Sequence, residues 1–120
     1  MENILKEKSF SFALRVVKLA RYLNGNQKEY VLSKQVLRSG TAIGALVSEA
    51  EFAQSKPDFI NKLSIGLKEA NETYYWLKLL HEGKYISEIM FNSIQPQTKE
   101  LIKLLVTSIK TAKQSIKTDQ

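Results

Sequence analysis

Apolar positions along the chain repeat with helical spacing in four segments, and no strand-like alternation competes with them. The first segment is predicted as a helix from about Asn3 to Leu23. Phe10, Ala13, Val17 and Ala20 form one apolar row, and Phe12, Val16, Leu19 and Leu23 form a second beside it. The arc they cover is wider than a single seam needs. "NGNQ" at 24–27 ends the helix, since Asn-Gly is a turn signal. The second segment, about Lys28 to Ala53, stops at "QSKPD". There Ser55 is a natural N-cap, Pro57 is tolerated in a first turn, and Asp58 holds the capping-box position.

The third segment, about Pro57 to Glu82, carries Ile60, Leu63, Leu67, Ala70, Tyr74, Leu77 and His81 at alternating spacings of three and four, a seam suited to a bundle. Gly83 reads as its C-cap. The fourth begins near Ser87 and ends near Lys117, with Pro96 expected to kink it or split off a short first piece. Its seam is Leu101, Leu105, Ile109, Ala112 and Ile116. The expectation is all-α: one domain over 1–120, an up-down-up-down four-helix bundle in which the first and last helices are neighbours.

Charge adds a direction. The net charge is +6, and it is uneven: residues 1–28 carry six basic and two acidic side chains, 101–120 four and one, and 29–100 eight and nine. The excess therefore lies at the two chain ends, which an up-down bundle places side by side. On the last helix Lys99, Lys103, Lys110, Lys113 and Lys117 gather in an ~80° arc, counting ~100° per residue. Arg15 and Lys18 occupy the polar strip of the first helix. These seven are the candidate phosphate contacts for RNA or DNA. Lysine used for solubility is the plain alternative. No aromatic residue is interleaved with the lysine arc, as a stacking platform would require.

The stretch "VLRSGTAIGALVSEA", Val36 to Ala50, poses a sharper question. A phosphate-binding loop needs G-x-x-x-x-G-K-[ST]; here Gly40 and Gly44 are one residue too close, and Ala45 stands where the lysine belongs. Read as a helix, it costs about 1 kcal/mol for each mid-helix glycine relative to alanine, which points to a close helix contact at Gly40 and Gly44. Arg38, Ala42, Ala45, Glu49 and Ala53 form its other face. The third helix repeats the theme with Ile65, Glu69, Glu72, Trp76 and Leu79 opposite its core seam. Both second faces are expected to be covered in a subunit interface, with Arg38 pairing Glu69 or Glu72. An intrachain pair at a bundle edge is the alternative.

Catalytic patterns are missing. There is no cysteine, no G-x-S-x-G elbow and a single histidine, His81, on the core seam. A di-iron carboxylate bundle needs Glu-x-x-His, but Glu69 and Glu72 are followed three residues later by Glu72 and Tyr75. No enzyme, metal or cofactor is expected, and a carboxylate metalloenzyme is the remote alternative. No apolar run approaches a membrane span and the N-terminus has no signal-peptide core, so a cytoplasmic protein is expected.

Two blocks carry a resemblance. R-S-G-T-x-I-G-x-x-x-x-E-A runs from Arg38 to Ala50, and D-F-x-x-K-L-x-I-x-L-K-E-A-x-E-T-x-Y-W-L runs from Asp58 to Leu77. With them, roughly residues 10–115 resemble the small bacterial four-helix-bundle proteins encoded in intervening sequences of 23S rRNA genes. The resemblance implies a homopentamer. It also implies kinship with accessory proteins of diversity-generating retroelements, which are similar pentameric barrels that bind nucleic acid and a reverse transcriptase. Arg38, Glu49, Glu69, Glu72 and Trp76 match the family's strongest positions, and the resemblance supplies no catalytic residue. The expected function is an oligomeric scaffold that binds nucleic acid; an adaptor that binds only protein is the competing class.

Overall fold

Each periodic segment becomes one helix in the computed structural model, which describes residues 2–119: α1 Glu2–Gly25, α2 Val31–Glu51, α3 Lys56–Glu82 and α4 Glu88–Asp119. Met1 and Gln120, the ends of the expected 1–120 domain, lie outside the described residues. Among the described residues there is no strand, and no helix is long and apolar enough to cross a membrane. The helices form a four-helix bundle of 54 × 22 × 20 Å in which α1 packs on α2, α2 on α3, α3 on α4 and α4 on α1.

The caps are local chemistry. Ser55 Oγ accepts the Asp58 N–H at 3.2 Å, while the Asp58 carboxylate accepts the Gln54 N–H at 3.2 Å, one residue short of the reciprocal box. Ser87 Oγ accepts the Met90 N–H at 3.1 Å and so caps α4. The expected start of α2 at Lys28 does not hold: Lys28 has φ 53°, a left-handed turn residue, and the helix begins three residues on. Glu29 does the capping there, its carboxylate accepting the N–H groups of Val31, Leu32 and Ser33 at 3.2, 3.0 and 2.8 Å. An anion at the positive end of the helix dipole is well placed. Gly83 caps α3 with right-handed φ −78°, and the left-handed turn falls on Lys84 at φ 65°. Glycine is still needed at 83, because a Cβ would stand 2.9 Å from the Leu79 carbonyl oxygen.

Three sequence expectations are corrected. Of the two rows on α1, Phe12, Val16, Leu19 and Leu23 reach the core, whereas Phe10 is 66% exposed. On α3 the seam is Leu63, Gly66, Ala70, Thr73, Leu77 and Leu80. The larger Ile60, Leu67, Tyr74 and His81 flank it, half-buried, because close packing selects the small residues for the contact line. Pro96 does not split α4, which runs through it unbroken. Proline withholds the N–H that the Asn92 carbonyl would accept. Burial of Ile94 and Thr98 on either side, and Arg15 donating to the neighbouring Ser93 carbonyl at 3.0 Å, hold the helix across the gap.

At Gly40 a Cβ would lie 2.8 Å from both methyl groups of Val16, and at Gly44 it would lie 3.2 Å from the Ser9 carbonyl oxygen. Helix α1 is thus the neighbour that the two glycines admit. Buried hydroxyls are served within the same layers: Ser9 donates to the Lys6 carbonyl at 3.1 Å, and the Thr73 hydroxyl lies 2.9 Å from the Ser39 hydroxyl and 2.8 Å from the Glu69 carbonyl. Val16 is β-branched and fully buried, so it cannot turn aside for an added methyl group. Gly40→Ala is expected to lower unfolding stability by about 1–3 kcal/mol despite its better helix propensity, and a Val16→Ala change in the same chain should recover part of the loss. Urea unfolding checks this; an unchanged or raised midpoint would contradict the close contact.

Candidate functional site

On α4, Leu101, Leu105 and Ile109 are buried, and Lys99, Lys103, Lys110, Lys113 and Lys117 are all exposed on a separate arc. Among the described residues none of these five is ion-paired, in contrast to Lys6 with Glu51 at 2.9 Å, Lys8 with Glu100 at 3.1 Å and Lys62 with Glu49 at 3.9 Å. Lys99 Nζ lies 5.5 Å from the centroid of the Tyr74 ring, with Lys78 Nζ 4.7 Å from the same centroid. Position on α3 and α4 therefore brings an aromatic ring to the end of the lysine arc, although no aromatic residue lies on the arc in sequence. Nothing in the sequence placed these two residues level, since that depends on the offset of α3 and α4 along the bundle.

Arg15 and Lys18 are not brought to that arc. The Arg15 guanidinium donates to the Ser93 carbonyl and hydroxyl, both at 3.0 Å, and to Gln97 Oε1 at 2.8 Å. Ser93 and Gln97 lie roughly 120–160° around α4 from the lysine line. The two basic ends of the chain adjoin α4 on different flanks, separated by Glu100, because the α1–α4 contact uses the helix face beyond that residue. Lys18 is exposed at the rim of an apolar groove between α1 and the start of α4, floored by Leu19, Ile86 and Ile94.

A second cluster joins α2 to α3 within one chain. Arg38 Nη1 meets Glu69 Oε1 at 3.2 Å, Arg38 Nη2 pairs with Glu72 Oε2, and Trp76 Nε1 donates to the same Glu72 oxygen at 2.9 Å. Glu69 is the more enclosed carboxylate, its side chain 16% exposed against 30% for Glu72. Ala42 is half-buried along the same line, Ala45 is exposed, and Glu49 at the far end lies 3.9 Å from Lys62. The two second faces are thus one continuous strip over the α2–α3 seam, tied at each end by ion pairs and edged by Ile65, Tyr75 and Leu79, each more than a third exposed. Arg38 and Glu49 do not pair with each other.

His81 is packed: its ring stacks on Phe91 with centroids 4.5 Å apart and planes at 9°. Among the described residues no three His, Asp or Glu side chains come together as a metal site would need.

These positions fit the blocks that resemble the intervening-sequence proteins, and the comparison with known families decides the matter: the family described as 23S rRNA-intervening sequence protein matches residues 1–107. The chain belongs to that family. This intervening-sequence protein is also similar to a crystal structure from Bacteroides thetaiotaomicron, described as a protein with unknown function from the S23 ribosomal protein family. The two are 55% identical with a TM-score of 0.90, over 91% of this chain and 97% of that one. No functionally curated protein matches the chain.

Removing Arg38 leaves Glu69 and Glu72 side by side without their cation. Because the pair is half-exposed, the loss is modest. Arg38→Ala is expected to cost about 1 kcal/mol, with a coupling of roughly 0.5–1 kcal/mol to Glu72→Ala in a double-mutant cycle. Chemical denaturation followed by the single Trp76 measures both; additive effects would contradict the pairing.

Proposed function

We propose that this protein is a non-enzymatic, cytoplasmic scaffold: an up-down-up-down bundle that assembles into a ring-like homo-oligomer, five-membered by family resemblance, and binds RNA or DNA through its phosphates. The observation that carries the reading is the lysine line on α4. Its five ammonium groups are exposed on one arc and without an ion-pair partner among the described residues, unlike Lys6, Lys8 and Lys62, which are paired with acids. An unneutralised line of that kind attracts a polyanion and releases its counterions. Lys99, Lys103, Lys110, Lys113 and Lys117 are the contacts. Arg15, already holding Ser93 and Gln97, and Lys18 stand on the other flank and contribute long-range field.

In support of the topology, contacts pair rising with falling residue numbers: Ser9 with Gly44 and Val16 with Gly40, Arg38 with Glu72 and Glu49 with Lys62, Lys8 with Glu100 and Arg15 with Gln97. In support of assembly, the strip Arg38, Ala42, Ala45, Glu49 with Glu69, Glu72 and Trp76 combines small residues, satisfied charge and a half-buried Trp, a composition suited to a subunit contact.

A second reading, a protein-interaction adaptor without a nucleic-acid role, has its own observation. Phe10 and Leu14 are 66% and 50% exposed beside Gly44 and Ser48, an apolar groove between α1 and α2.

Mobility shift with structured RNA across a salt series distinguishes the two. Binding is expected to fall steeply with salt, and the triple change Lys103→Glu, Lys110→Glu and Lys113→Glu should weaken it by about tenfold or more. Unchanged binding by that variant would remove α4 as the site. Light scattering should give a mass several times that of one chain, and a monomer at micromolar concentration would defeat the assembly.

A further inference from the structure

Charge alone does not tell a duplex from a single strand, whereas an aromatic face beside the charge does. The arc on α4 has no such face of its own, and α3 supplies one. Tyr74 is half-buried at the α3–α4 seam, its ring 4.7 Å from Lys78 Nζ and 5.5 Å from Lys99 Nζ. The row of α3 that carries it, Ser64, Leu67, Asn71, Tyr74 and Lys78, has helical spacing and no acidic residue. On α4 the carboxylate next to Lys99, that of Glu100, is held by Lys8 at 3.1 Å. A polyanion approaching Tyr74 therefore meets two cations and no free acid from these rows.

We propose that Tyr74 is a base-stacking platform at one end of the α4 lysine line, so that the ligand of this face is single-stranded RNA or DNA. The inference rests on the phosphate-binding reading above and names its substrate class. An ammonium over a tyrosine ring that solvent still reaches is weakly held. A nucleobase stacks on the same ring more strongly, by an amount that tolerates any base identity. The incoming base displaces Lys78 or Lys99 from the ring, and the freed ammonium stands where the phosphates flanking that base must lie. From Lys99 to Lys117 the line extends about 27 Å along the helix axis, so a strand anchored at Tyr74 can follow it. A duplex turns its bases inward and leaves Tyr74 nothing to stack on; it meets the lysines only.

Fluorescence anisotropy with labelled unstructured oligonucleotides of about 16 nucleotides, as RNA and as DNA, against an abasic DNA strand and a duplex of the same length, tests the inference. The wild-type protein is expected to bind the base-carrying strand about tenfold or more tighter than the abasic strand. Tyr74→Leu, which keeps an apolar side chain at the seam, and Tyr74→Ala should erase that difference, and Tyr74→Trp should keep it, with circular dichroism showing each variant folded. The tighter of the RNA and DNA arms identifies the source of the strand. Equal binding of base-carrying and abasic strands by the wild-type protein, or full discrimination by Tyr74→Leu, overturns the stacking role. If the triple lysine-to-glutamate variant still loses binding in that case, the phosphate reading stands without it. If the wild-type protein binds no strand at low salt, both fall.

Discussion

Everything in this bundle depends on how closely α1 approaches α2. Gly40 faces the stem of Val16 and Gly44 faces the backbone of Ser9, so at both places the neighbour occupies the space of a side chain. Two glycines within a helix cost about 1 kcal/mol each. Full burial of Val16 and Ile43 in the same contact returns about 1.5–3 kcal/mol each, so the contact prevails. Ser9, Ser39 and Thr73 are buried among the packed helices, and each hydroxyl has a partner. Phe10 and Leu14 lie outside this contact, exposed beside Gly44.

The charges gather on the other side of α2. Where α2 and α3 run close, their outer faces merge, and Arg38 reaches both carboxylates of α3 without leaving its own chain. Acids cluster in the middle of the sequence, where Arg38 holds Glu69 and Glu72 and Lys62 lies near Glu49 and Asp58. The lysines of α4 stand on an outer arc away from these pairs, on a helix whose neighbouring row of α3 is neutral or basic. Their isolation follows from chain order: the bundle places its charge-balanced middle at the α2–α3 seam and its unbalanced end on one outer arc.

Much of this was legible in local sequence, and the failures share a cause. Helix number, the Ser55 and Ser87 caps and the division of α4 into apolar and lysine faces depend on residues within a turn or two of each other. Ranking positions by apolar size led to the wrong line on α3, since Gly66 and Thr73 hold the contact and Leu67 and Tyr74 flank it. On α1 the two apolar rows were not told apart by spacing, and only burial shows that the Phe12 row is the core and Phe10 is exposed. Helix breaking at Pro96 was overridden by Arg15, a partner far away in sequence. Pairing of Arg38 with Glu69 and Glu72 was legible from complementary faces, but the chain of origin of the partner was not, because azimuth does not distinguish an intrachain neighbour from an intersubunit one. The meeting of Tyr74 with Lys99 was invisible for a related reason: it depends on how far α3 and α4 are offset along the bundle axis.

Ultraviolet crosslinking in lysate of the host cell, followed by mass spectrometry of nucleotide-bearing peptides, tests the central claim most directly. The account predicts crosslinks confined to the α4 segment from Lys99 to Lys117 and to the α3 peptide containing Tyr74, lost when the lysate is brought to high salt before irradiation. Crosslinks concentrated on α1 or on the Arg38 face, or none under low salt, would contradict it.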